Sequence, residues 1–169
     1  MWLIRAKIPQ VAGEMVRALT DGGDIECESP REVQSDLEAV LSQYLSDDQE
    51  ISDRARDLVA TRGLPSSELG RMKKLVAEQK HVKIGEDAID YLLDQLIEIL
   101  MHSNNVDEVF AQDHVLRLRM REPLRKQFAA EDQLDQEVRG RIKHVQEGTP
   151  LWEVEYRRVT EELKRRKGG

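Results

Sequence analysis

A chain of 169 residues with 35% charged and only 4% aromatic residues is long enough for one ordinary domain or two small ones, and its profile is that of a helix-rich protein with a real core. A net charge of −7 excludes whole-surface attraction to nucleic acid or anionic lipid and leaves only local basic patches able to bind either. The single cysteine, Cys27, excludes an internal disulfide, and Arg5 and Lys7 interrupt the opening apolar run where a signal peptide needs its hydrophobic stretch, so a cytoplasmic protein with no membrane partner is expected.

In chain order, Pro9 opens a short amphipathic helix carrying Val11, Met15, Val16 and Leu19, which Asp21-Gly22-Gly23-Asp24 ends. Ile25 to Cys27 alternates as a small extended piece does. Ser29-Pro30-Arg31-Glu32 combines a capping box with proline at the first helical position and predicts a helix to about Leu45, burying Val33, Leu37, Leu41 and Tyr44. Ser46-Asp47-Asp48-Gln49 reads as the cap of a further helix with Ile51, Ala55 and Leu58, stopping at Arg62-Gly63. Leu64-Pro65-Ser66-Ser67 restarts the chain into a helix with Met72 and Val76, and the helical period lapses at Lys80 to Gly85.

The most apolar helix follows, Asp87 to Met101. Leu92, Leu93, Leu96, Ile97 and Leu100 cover more than one face, and Asp90, Asp94 and Glu98 leave one narrow polar stripe, so the rest of the protein or a partner must cover it. Val106 to Phe110 is a second extended piece. Asp113 opens a helix with Leu116, Met120 and Leu124 that Pro123 should kink or split; Asp132 or a neighbour caps the next, and Thr149-Pro150 caps the last, with Trp152 and Tyr156 expected to pack in a core.

The chain reads as two passes through one plan. Met15 to Leu19 aligns with Leu96 to Leu100, and Leu41 to Ala55 with Leu124 to Val138, placing Tyr44 with Phe128 and Ile51 with Leu134. A duplicated unit of about 80 residues is inferred. The predicted fold is therefore all-α, two repeated helical units at 1–83 and 84–169 with at most a short β pair, the Asp87 to Met101 helix lying between them.

Leu134 to Arg139, the run Val145-Gln146-Glu147-Gly148-Thr149-Pro150-Leu151-Trp152-Glu153-Val154-Glu155-Tyr156, and Lys164-Arg165-Arg166-Lys167-Gly168 resemble the bacterial family called domain of unknown function 507, in a tandem two-copy form whose first copy is more diverged. The resemblance implies a small cytosolic helical protein, and it supplies no activity, substrate or catalytic residue.

The residues themselves point away from catalysis. His81, His102, His114, His144 and Cys27 show no ligand spacing, the acids of the apolar helix lack the Glu-x-x-His partners of a di-iron bundle, and Ser66, Ser67 and Ser103 sit in turns without a nucleophile elbow. No metal or cofactor is expected. Two basic features stand out: Arg117, Arg121 and Arg125 recur every four residues, and Lys164, Arg165, Arg166 and Lys167 form a basic tail. Arginine forks suit phosphates and carboxylates, whereas cations at a helix C-terminus also follow from the helix dipole alone. The leading expectation is a non-catalytic interaction or scaffold module with a protein partner or as a homo-oligomer; the alternative is nucleic-acid or ribosome association through the arginine stripe and tail.

Overall fold

A computed structural model describes residues 3–168, with side chains to Arg166. The fold is all-α with one short two-stranded sheet. Helix α1 spans Ile8–Asp21, strand β1 Ile25–Glu26, α2 Pro30–Thr61, α3 Leu69–Lys80, α4 Ala88–His102, β2 Glu108–Val109, α5 Asp113–Arg141 and α6 Pro150–Gly168. Helix, strand, long helix, helix thus occurs twice along the chain.

Local signals account for most of these limits. Ser29 Oγ accepts the Glu32 N–H at 3.4 Å with Pro30 at the first position of α2, and Thr149 Oγ1 accepts the Trp152 N–H at 3.2 Å at the start of α6. His81 closes α3 in the left-handed region at φ 57°.

The expected helix starts at Ser46 and Asp132 and the expected split at Pro123 are absent. Ser46 to Gln49 does not start a new helix; α2 runs through it for 32 residues. Leu45, Ile51 and Ala55 continue the buried stripe across the polar segment, and Lys80 Nζ from α3 lies 2.6 Å from Glu50 and 4.0 Å from Asp47, so tertiary partners take the acids that a cap would have used. Likewise α5 runs unbroken through Pro123 and Asp132, because Leu116, Met120, Pro123 and Leu124 are all buried and packing holds the turn that proline weakens by its missing N–H.

The main core draws residues from Leu3 to Leu124, across both halves of the chain. Helix α4 lies between α2 and α5 and buries Ala88, Leu92, Leu93, Leu96, Ile97 and Leu100, while α1 packs on α2 and α5. Strands β1 and β2 pair antiparallel, Ile25 with Val109 and Glu26 with Glu108. A smaller core of Leu134, Val138, Ile142, Val159 and Leu163 joins the second half of α5 to α6, with Trp152 and Tyr156 packed against it. Counted from Pro30 and Asp113, the first residues of α2 and α5, Phe128 falls with Leu45 rather than with Tyr44. Tyr44 is buried and its hydroxyl donates to the Lys83 carbonyl at 3.1 Å, whereas Phe128 is exposed.

The α2–α3 and α5–α6 hairpins meet at their tips. Arg56 lies 3.8 Å from Glu153, and Ser66 Oγ sits 2.6 Å from where a Cβ on Gly148 would be. With φ at +86°, Gly148 is glycine for two reasons, its backbone conformation and this approach.

Candidate functional site

The arginine stripe of α5 faces the acidic stripe of α4. Arg117 Nε lies 2.6 Å from Asp113 and its guanidinium also reaches Asp94, while Arg121 Nη2 lies 3.0 Å from Asp90. These contacts hold the Arg117 guanidinium above its usual pKa, through hydrogen bonds first to Asp113 and then to Asp94. The third acid of α4, Glu98, lies 3.5 Å from His102 Nδ1. Where α1 and α2 meet, a Cβ on Gly13 would stand 3.3 Å from the Gln34 amide, which donates to the Pro9 carbonyl and to Glu38 of its own helix. Arginine on α5 is thus the complement of the aspartates on α4, a pairing that neither stripe reveals when read alone.

The remaining basic residues divide. Arg119 Nε lies 3.0 Å from Asp24, the one charged residue found buried among the described residues. Arg166 lies 2.8 Å from Glu162, while Lys164 is exposed, has no ion-pair partner within 4 Å among the described residues and acts on the Glu131 carboxyl only through its charge. Arg125 and Arg165 are exposed and have no ion-pair partner within 4 Å among the described residues. The side chain of Lys167 lies outside the described residues.

A cleft of about 490 Å³ separates the two hairpins and is lined in part by Tyr44, Asp48, Arg56, Glu131, Asp135 and Tyr156. Burial pushes the Asp48 carboxyl above the usual carboxylate range, against the pull of Lys73. Burial also raises Glu131, with Lys164 opposing and Asp135 adding to the rise. Tyr156 donates its hydroxyl to Asp135 at 2.5 Å and stacks on Trp152 with centroids 5.0 Å apart; burial and that hydrogen bond raise its pKa. The Arg139 guanidinium covers the Trp152 ring at 5.1 Å and binds Asp135 and Glu147 at 2.9 and 2.8 Å. Sequence reading missed Asp48 and Glu131. Asp48 sits inside a run that looks like a helix cap, and nothing local signals that distant parts of the chain will half-bury either carboxylate.

Chemically, the cleft offers carboxylates beside cations and two tyrosine hydroxyls whose pKa values burial raises. No group of three or more His, Cys, Asp or Glu side chains among the described residues is arranged to hold a metal ion. Cys27 is half-buried, and burial followed by the charge of Asp107 raises its thiol pKa, which is the opposite of activation. No helix among the described residues is long and apolar enough to cross a membrane.

A model of the family described as protein of unknown function (DUF507) matches residues 1–168. The chain belongs to that family. The match spans both halves, from the helices of the main core to the basic end of α6. No curated protein matches this DUF507 chain.

Proposed function

We propose that this DUF507 chain is a non-catalytic interaction or scaffold module of the bacterial cytoplasm, assembled from two copies of one helical unit. The observation that carries the interaction reading is an asymmetry of apolar exposure. Met101, Phe110, Leu118, Phe128, Leu151 and Val154, the exposed large apolar side chains among the described residues, all belong to the second half, at 37% to 66% exposure. Single exposed apolar residues are ordinary, but their confinement, among the described residues, to one half of a two-part chain is a bias that folding alone does not require. Leu151 and Val154 share one face of α6, on a hairpin with its own small core.

The test is purification of the tagged full chain from its native cell beside a Leu151→Ser/Val154→Ser variant, with mass spectrometry of what each retains. A partner held by the parent and lost by the variant supports the reading, as does a parental homo-oligomer that the variant disperses. Equal retention by both places the contact elsewhere. The two-copy origin predicts that residues 8–79 and 88–163 superpose helix for helix in a crystal structure; unrelated helix paths would end it.

Nucleic-acid binding is the second reading, favoured by Arg125 and Arg165, whose guanidinium groups are exposed without ion-pair partners among the described residues. Affinity for RNA or DNA would then fall with salt by a log-log slope of about −0.7 to −0.9 per phosphate neutralised, and Arg125→Gln with Arg165→Gln would flatten it by about 1.5. No binding by the parent at low salt would remove this reading.

A further inference from the structure

The two halves meet at two crossings, α1 with α5 and α2 with α4, and through the β1–β2 pair. Each has a polar centre. At the first, Asp24, three residues past the end of α1, accepts from Arg119 Nε at 3.0 Å, while its backbone carbonyl accepts the N–H groups of Phe110 and Ala111 at 2.8 and 3.2 Å. At the second, Asp36 of α2 accepts from the Ser103 hydroxyl and from Asn105 Nδ2, the latter at 3.0 Å, and Asn105 lies three residues past the end of α4.

The positions correspond. Asp36 is the sixth residue after Pro30 and Arg119 the sixth after Asp113, the first residues of α2 and α5. At corresponding places, then, aspartate meets arginine in one crossing and asparagine meets aspartate in the other. The first half contributes two carboxylates, Asp24 and Asp36, and the second half contributes Asn105 and Arg119. A first half meeting a copy of itself would set Asp24 against Asp36 twice, with the Asp24 side chain only 8% exposed, where like charges are poorly screened. A second half meeting itself would leave Arg119 without a carboxylate. Gly22 leaves room for the first centre, since a Cβ there would stand 2.8 Å from the Asp24 carboxylate and 3.2 Å from Arg119 Nε.

We infer that the α1–α5 and α2–α4 crossings are one interface used twice, and that the charge exchanged between their polar centres, Asp24 with Arg119 and Asn105 with Asp36, makes each half the complement of the other and not of itself. The inference rests on the two-copy reading. It implies that either crossing accepts the other's residues.

The experiment uses the full chain. Arg119→Asp opposes two carboxylates at the first crossing, and melting should fall by roughly 5 to 10 °C. Adding Asp24→Asn, which reproduces the pair of the other crossing, should return melting to the parent's value. Adding Asp24→Leu, which removes the charge without the hydrogen bond, should not restore melting. The reciprocal exchange, Asp36→Arg with Asn105→Asp, reads the second crossing and serves if Arg119→Asp alone does not fold. An Asp24→Asn/Arg119→Asp chain no more stable than Arg119→Asp, or no better than the leucine combination, would overturn the inference. So would an Arg119→Asp chain that melts with the parent. Failed exchange between halves that superpose removes the lock alone, while halves that do not superpose remove the duplication itself.

Discussion

The α2–α3 and α5–α6 hairpins follow one another in the same order of elements and are stabilised differently. The first is continuous with the main core: Ile51 of α2 and Val76 and Ala77 of α3 belong to it, and Val82 just beyond α3 turns back into it. Tyr44 bonds the Lys83 carbonyl and Lys80 binds Glu50, so the end of α3 is tied to α2. The second hairpin has its own core of five buried residues, and contacts such as Arg56 with Glu153 and Ser66 with Gly148 join its tip to the other. Two hairpins with the same order of elements therefore need not be equally stable. The hairpin that buries less is also the one that exposes Leu151 and Val154, and local opening free energies follow buried apolar contact.

The largest blow to the main core is Leu96→Asp, which strands a charge at a fully buried site in α4 and removes packing at once. A loss of several kcal/mol is expected for the whole molecule, read as one shifted unfolding transition. Unchanged melting would show that α4 is not central.

Leu163→Ala strikes the small core instead and should cost about 2 kcal/mol, the low end for such truncations because the site lies near a helix end and can relax. Hydrogen exchange should then accelerate along α6 and the second half of α5 while α1, α2 and α4 keep their protection. Uniform acceleration would mean that the two cores unfold as one.

Arg117→Gln strikes the charged α4–α5 contact, which joins the second hairpin to the main core. Its partners Asp94 and Asp113 are both more than half exposed, so the loss should stay below about 1 kcal/mol and shrink further in high salt.

Smallest of all is the pH effect in the cleft between the hairpins. Burial raises the folded-state pKa of Glu131 above its unfolded value, so folding favours the protonated form. Its contribution is most favourable below the unfolded pKa and is lost as pH rises through the folded pKa. Glu131→Gln should accordingly raise melting slightly at neutral pH and converge with the parent in acid, below the ordinary carboxylate range. A variant less stable at neutral pH would mean that the Lys164 attraction outweighs burial.

Much of this molecule is written in local signals. The Ser29-Pro30 and Thr149-Pro150 caps, the apolar faces of α1 and α4 and the two extended pieces each follow from residues within a few positions of one another, because capping, helical period and alternation are short-range effects. What only the tertiary structure decided lies where a distant element supplies the deciding energy. Lys80 and the main core carry α2 through a segment that resembles a cap, and buried neighbours hold α5 together at Pro123. The meaning of the charges belongs to the same class. Arg117 and Arg121 look like a free anion-binding stripe until α4 brings Asp94 and Asp90 against them, and Asp24 and Asp36 look alike until one meets a guanidinium and the other a hydroxyl and an amide. Periodicity in a sequence states which face a side chain occupies, whereas the group opposite it comes from another part of the chain, and for a charge that group decides everything.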